Sequence, residues 1–316
     1  MNNKFEALDT VRSLDAGMNK KKWIKENLTG YVFILPWLIG FLAFLAFPLL
    51  RSLYYSLTEY TIVGDPSWVG LRNYIEIFTG DEKFWTSLKV TFYYVVFAVP
   101  LRLASALALA LVFRKARPFT NFYRAAYYVP SILGGSVAIS VIWRQLFSSQ
   151  GAFNDFLVSL GIMGDRISWI GHPDYAIWTI ILLAAWQFGS PMIIFLAGLK
   201  QIPKGLYEAA EIDGAGKVQQ FFSVTLPLLT PVIFFNLIMQ MVKMFMVFTQ
   251  VYIITEGGPL NRTLVYAVYL YRKGISNGYL GYGSALAWII LVLLTIVTIV
   301  LFKTSNKWVY YESEGE

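Results

Sequence analysis

The sequence contains no cysteine and a single histidine, His172. Without thiols there is no disulfide framework, no thiolate metal site and no cysteine nucleophile. One imidazole cannot build a multi-histidine metal centre, although carboxylates alone can still hold a hard cation. Charge is also scarce. Asp, Glu, Lys and Arg make up 14% of the 316 residues, against roughly a quarter in ordinary soluble domains. That is too little polar surface to clothe a water-soluble globule of this length. What fills the space is apolar: 57% of the chain is hydrophobic and the mean hydropathy is +0.55. The apolar residues gather in long blocks separated by short charged ones, which is the pattern of a membrane protein.

A helix crossing roughly 30 Å of hydrocarbon needs about 20 mostly apolar residues. Six stretches qualify: 31–50, 90–113, 127–142, 175–199, 226–254 and 284–302. The expected fold is therefore all-α and polytopic, with six transmembrane helices over 31–303, a preceding segment 1–30 and a tail 304–316. The third stretch is interrupted by Pro130, Ser131, Ser136 and Ser140. Breaks of this kind are tolerated where neighbouring helices satisfy the freed backbone groups, so such helices tend to line cavities rather than face lipid.

Six spans put both ends of the chain on one side. Segments 1–30, 114–126, 200–225 and 303–316 hold 15 Lys and Arg, whereas 51–89, 143–174 and 255–283 hold nine over a greater total length. The positive-inside rule then places both termini in the cytoplasm. It also assigns the net charge of +7 to membrane orientation rather than to nucleic acid. The first 30 residues do not read as a cleavable signal, because their basic region is long and the apolar block that follows can span. Phe5, Leu8, Val11 and Leu14 recur every three residues, which fits either a short helix on the membrane surface or a solvated tail. Trp85, Tyr93, Trp143, Trp169, Trp178, Trp288 and Trp308 fall near span ends, where interfacial anchoring accounts for them.

The segment 200–231 carries the most information. Pro203 opens a helix, the residues around Glu208, Ala209, Ala210 and Glu211 sustain it over 205–213, and Gly214 and Gly216 end it in a turn. A second short helix follows through Phe221, Phe222 and Val224, and Pro227 leads back into the membrane. Short links between spans usually carry nothing, but this one presents small residues (Ala209, Ala210, Gly214, Ala215) flanked by Glu208, Glu211 and Asp213. That combination suits a docking surface for a protein partner, whose Arg or Lys the acidic residues could pair with.

Glu208-Ala209-Ala210, three residues, Gly214, nine residues, Val224, one residue, Leu226-Pro227 resembles the EAA loop of permease subunits of binding-protein-dependent ABC importers, with Val224 where Ile is usual. Ile202-Pro203, Asp213-Gly214-Ala215, Phe221 and Pro231 fit the carbohydrate-uptake branch, the maltose- and glycerol-phosphate-type permeases. Trp68-Val69-Gly70-Leu71-Arg72-Asn73-Tyr74, Arg124-Ala125-Ala126 with Val129-Pro130, Phe195-Leu196-Ala197-Gly198-Leu199 and the run from Val247-Phe248 to Gly258-Pro259 continue the resemblance in order, with Glu256 where Gly is common. The resemblance implies the fold of a type I ABC importer permease in a bacterial or archaeal inner membrane. It implies a complex with a second homologous permease subunit, two ATP-binding cassette subunits and an extracytoplasmic solute-binding protein, translocating a carbohydrate. In that reading Glu208, Ala209, Ala210, Asp213, Gly214, Leu226 and Pro227 form the loop that couples to the ATPase. ATP and Mg would be used by those partners, with no cofactor and no catalysis on this chain. Gly214-Ala215-Gly216-Lys217 does not make a phosphate-binding loop: Glu211 and Val218 stand where that motif needs Gly and Ser or Thr, and no strand precedes it.

Polar groups inside spans are costly and mark either a pathway or a helix contact. Arg102 lies about a dozen residues from either end of the second stretch, and it either lines the pathway or is partnered near a kink at Pro100. Asn236, Gln240 and Lys243 share one face of the fifth helix. Trp186, Gln187 and Ser190 in the fourth supply the stacking and hydrogen-bonding groups that sugars use, beside Gly189 and Pro191, which can unwind the helix. Each of these side chains suits either a substrate cavity or an interhelical hydrogen bond worth about 1 kcal/mol. The family usually has a small residue at Lys243. A lysine there makes an anionic saccharide, a uronate oligomer or sugar phosphate, attractive. His172, next to Pro173, reads as a turn residue, and Asp155, Asp165 and Asp174 are too dispersed for a metal site.

Two other classes compete. An ion-coupled secondary carrier would carry more spans, inverted repeats and intramembrane acids, and no Asp or Glu lies securely within a stretch here. An intramembrane hydrolase would need a Cys, a spanning His or paired membrane Asp residues.

Overall fold

A computed structural model describes residues 20–114 and 119–310. The pattern at Phe5, Leu8, Val11 and Leu14 lies outside the described residues. Contacts divide the chain into two units, Met1–Tyr55 and Ser56–Glu316. In the first, helix α1 (Lys20–Phe41) passes through a π-helical turn at Leu42–Ala46 into α2 (Phe47–Ser56). Together they supply one apolar span, Gly30–Ser56. Arg51 lies over the rings of Phe47 and Tyr55 and donates to the Tyr55 hydroxyl at 2.6 Å, so aromatic faces and a phenol take up the one cation of that span.

The second unit opens with a two-residue hairpin, β1 (Thr58–Glu59) against β2 (Ser67–Trp68), antiparallel with Thr58 opposite Trp68. It is followed by α3 (Arg72–Gly80) and the long α4 (Glu82–Phe113). Then come α5 (Thr120–Leu133), α6 (Val137–Leu146), α7 (Ala152–Ser159), α8 (Ala176–Trp186) and α9 (Gly189–Gln201). Beyond the helical turns α10 (Lys204–Ile212) and α11 (Lys217–Gln220) run α12 (Leu226–Phe245), α13 (Thr249–Ile254), α14 (Tyr266–Leu270) and α15 (Leu280–Ser305). Four described helical runs are long and apolar enough to cross a membrane, and the bent pairs Phe122–Leu133 with Val137–Leu146 and Ala176–Trp186 with Gly189–Gln201 raise the number to six. Each of the six expected stretches overlaps one of these, but 226–254 runs on past the end of α12 at Phe245.

Helix α4 is the hub, packing on α8, α9, α12 and α14. Its buried residues Tyr94, Val95, Ala98, Val99, Arg102, Leu103 and Ala106 recur at three- and four-residue intervals, one continuous stripe of a 3.6-residue helix. The small ones, Ala98, Ala106 and Ala110, are 0% exposed. In lipid, where apolar surface gives no net drive to associate, such small residues let neighbouring backbones approach and gain dispersion contacts. The same device is more extreme between the turn Tyr271–Ser276 and α15, where Gly274 and Gly283 meet backbone to backbone.

One carboxylate ties the start of α4 to the end of the chain. Asp81 caps α4 by accepting from the Phe84 N–H at 3.1 Å, and its other oxygen accepts from the hydroxyls of Tyr269 and Tyr282. Burial pushes this carboxyl up, but the two phenols, the Phe84 amide and nearby Lys273 pull harder and leave it below its ordinary value. A carboxyl that titrates lower folded than unfolded contributes stability in full above the ordinary carboxylate range, and loses it as pH falls through the folded value. The purified protein should therefore lose thermal stability on acidification through that range. Asp81→Asn should lower the melting temperature at neutral pH and flatten this acid limb, and an unchanged limb in the variant would assign the loss to another group.

Candidate functional site

The segment around Glu208 folds as a helix–turn–helix. Pro203 sits at the N-cap of α10, and Asp213 closes its other end. Gly214 then adopts φ +81°, a left-handed conformation that costs glycine nothing and other residues considerably more. The Gly214 N–H donates to Glu211 O at 3.0 Å and the Ala215 N–H to Ala210 O at 2.8 Å, the paired bonds of a Schellman cap. The Gln220 side chain donates to Ala215 O at 3.0 Å, holding α11 against the turn. Tyr207 anchors the unit: its hydroxyl is 3.0 Å from Thr225 Oγ1, and the Arg114 guanidinium lies 4.3 Å from its ring centre. Glu208, Ala209, Glu211, Asp213 and Gly214 are exposed, whereas Leu226 and Pro227 are half-buried where α12 begins. Ile212 is 87% and Val218 72% exposed, alongside exposed Leu206 and Phe222. Apolar side chains beside three acidic ones, on a turn held this firmly, form a surface with the composition of a protein contact.

The second site lies within the spans, at two broken helices. Gly134 to Ser136 separate α5 from α6 at a 95° bend, and Gln187 and Phe188 separate α8 from α9 at 42°. Each break exposes backbone groups, and the breaks satisfy one another. The Gly134 carbonyl accepts from the Gln187 amide at 3.0 Å and from the Gln250 amide at 3.4 Å. Ser131 Oγ donates to Gln187 O at 2.8 Å and accepts from the Ser190 N–H at 2.9 Å. The crossing is tight: a Cβ on Gly134 would lie 2.3 Å from Gln187 Cγ, and one on Gly189 would lie 2.7 Å from Tyr127 O.

Beside this knot is a cavity of about 30 Å³ whose polar lining is Tyr94, Arg102, Gln187, Lys243 and Gln250. Arg102 is 2% exposed, and its Nε and Nη2 have no hydrogen-bond partner among the described residues. Lys243 is exposed at the cavity edge. The structure thus brings together Arg102, Gln187 and Lys243. Asn236 and Gln240, although on the same face of α12 as Lys243, are buried away from this lining, with Asn236 Oδ1 and Nδ2 and Gln240 Oε1 lacking partners among the described residues. Trp186 packs on Trp143 with ring centres 5.8 Å apart, and Ser190 serves the knot through its backbone N–H. Tyr94, Gly134 and Gln250 were not singled out from the sequence, and Ser131 only as one of the residues that interrupt the third stretch. The Gly-Gly pair inside a Pro-broken apolar stretch was the signal available for Gly134.

A family model, the binding-protein-dependent transport system inner membrane component, matches residues 91–310, which contain both sites. The chain belongs to that family. The probable ABC transporter permease protein YesP of Bacillus subtilis (strain 168) is 50% identical over 309 residues, covering 97% of this chain and 100% of the relative. The arabinooligosaccharides transport system permease protein AraP of the same strain is 30% identical, covering 97% and 98%. The fold matches a chain in the crystal structure of a bacterial ABC transporter involved in the import of the acidic polysaccharide alginate, with TM-score 0.78 and 23% identity over 90% of this chain and 98% of that one. This permease is thus an inner-membrane transport component, and its relatives are transport proteins rather than enzymes.

Proposed function

We propose that this permease is one of two membrane-spanning subunits of an importer that passes an oligosaccharide, released by an extracytoplasmic solute-binding protein, across the inner membrane at the expense of ATP hydrolysed by two separate cassette subunits. The observation that carries the reading is the exposed, Schellman-capped helix–turn–helix at 204–220 with its acidic and apolar face. A soluble ATPase docking there from the cytoplasm would move α10 and, through Tyr207 and Thr225, the start of α12. ATP and Mg would be bound by that partner, and both termini of this chain would lie on the same side. Relatives that carry arabinooligosaccharides, lactose and trehalose or maltose support a saccharide substrate. The described spans hold no Asp or Glu beyond Glu82 in the first turn of α4, which argues against an ion-coupled carrier.

Glu208→Lys should leave the protein folded and membrane-inserted, because the side chain is exposed, yet abolish substrate-stimulated ATPase activity in the reconstituted complex. A bulky residue at Gly214 should do the same. The space around its Cβ is open, so the obstacle is φ +81° and the partner surface rather than a clash within this chain. Wild-type stimulation in both variants would overturn the coupling assignment.

A further inference from the structure

We infer that Arg102 and Lys243 form a carboxylate-binding site, so that the transported saccharide carries uronic acid residues. This deepens the oligosaccharide reading and rests on it. The starting point is electrostatic. Arg102 bears a guanidinium, the side chain suited to binding carboxylates, is 2% exposed, and its Nε and Nη2 have no hydrogen-bond partner among the described residues. A buried guanidinium is ordinarily matched by a carboxylate. Here the second ionisable chain on the cavity is another cation, Lys243, and the remaining polar lining is a phenol and two amides. Two like charges on one cavity, with no acid among the described residues of the spans beyond Glu82 in the first turn of α4, leave a positive potential that a passing anion neutralises.

The geometry favours a carboxylate. A cavity of about 30 Å³ holds little more than a water or two, so it admits a planar charged group before any sugar ring. A guanidinium presents parallel N–H donors matched to the two oxygens of a carboxylate. Gln187 and Gln250 already spend an amide N–H on Gly134 O, which directs their carbonyl oxygens to the role of acceptor for sugar hydroxyls. The exposed lysine at the edge and the buried arginine behind it make a two-step path for the anion. It meets Lys243 first and Arg102 when the broken helices part.

The test uses the complete importer in proteoliposomes, comparing uptake of trigalacturonate with its neutral methyl ester. Because the same binding protein serves every measurement, a change in the acid-to-ester ratio between permease variants reports on the permease. The expected result is a wild-type ratio of about tenfold or more, falling towards one in Lys243→Gln and restored in Lys243→Arg. Arg102→Gln should act in the same direction, and the lysine pair keeps the test valid if that variant fails to fold. An unchanged ratio in Lys243→Gln, with saccharide uptake intact, would overturn the site while leaving the oligosaccharide reading standing. Failure to take up any saccharide would overturn both. Galactose 1-phosphate should compete with trigalacturonate no better than galactose does, and stronger competition by the phosphate would replace the carboxylate assignment.

Discussion

Gly134→Ala should reduce ATP-driven uptake about tenfold or more and cost about 1–3 kcal/mol of stability, the range for forcing a methyl group into a filled site. The new Cβ would sit 2.3 Å and 2.4 Å from Gln187 Cγ and Cδ and 2.6 Å from the Pro130 carbonyl oxygen. The glutamine can swing away, but only by breaking its bond to Gly134 O, which leaves a carbonyl at a helix break less well satisfied inside the membrane. The Pro130 oxygen belongs to backbone and yields only by changing the bend. Uptake in proteoliposomes and melting in detergent measure the two effects. Gly135→Ala is the control, since nothing lies within 4 Å of its Cβ. Adding Gln187→Ala should relieve part of the stability loss without restoring transport, because it removes the clash and the knot together. Equal behaviour of the Gly134 and Gly135 variants would show that the break is not held as described.

The second large effect is on folding. Gly283→Ala would place Cβ 2.5 Å from Gly274 Cα, and Gly274→Ala would place Cβ 2.9 Å from Gly283 Cα. No side chain is available to move, so α15 must shift as a body away from the turn Tyr271–Ser276. We expect a cost above about 3 kcal/mol, the upper end for overpacking, seen as poor accumulation in the membrane and loss of a cooperative melt. Gly80→Ala, with open space around its Cβ, should be close to wild type. A Gly283→Ala protein melting within a few degrees of wild type would mean that α15 is less closely packed than these distances require.

The parts of this architecture that depend on neighbours in sequence were legible before any coordinates. Apolar run length located all six spans, and Pro203, Ala209, Ala210 and Gly214 defined the helix–turn–helix because propensity and a positive-φ glycine act locally. Pro130, and Gly189 with Pro191, marked two of the breaks. The interruption between α12 and α13 was missed, since Met246, Val247 and Phe248 carry no Pro or Gly and read as one continuous apolar helix. Asn236, Gln240 and Lys243 share a helical face, yet only the last reaches the cavity, because a helical face spans several turns and neighbours bury it at different heights. Arg102 and Lys243 are 141 positions apart in sequence, and no local rule brings them to one cavity. Nothing local marks Asp81, since its two tyrosine partners come from the far end of the chain.

That aspartate has a mechanical consequence. A single side chain joins the first turn of α4, the short α14 and the first turn of α15. The hairpin adds two backbone bonds to the same end of the molecule, Ile62 N–H to Gly278 O and Gly281 N–H to Tyr60 O, both 2.9 Å. Segments more than 180 residues apart in sequence are thereby clamped into one plate. A load on that plate is shared by α4 and α15, so the two spans are expected to tilt together.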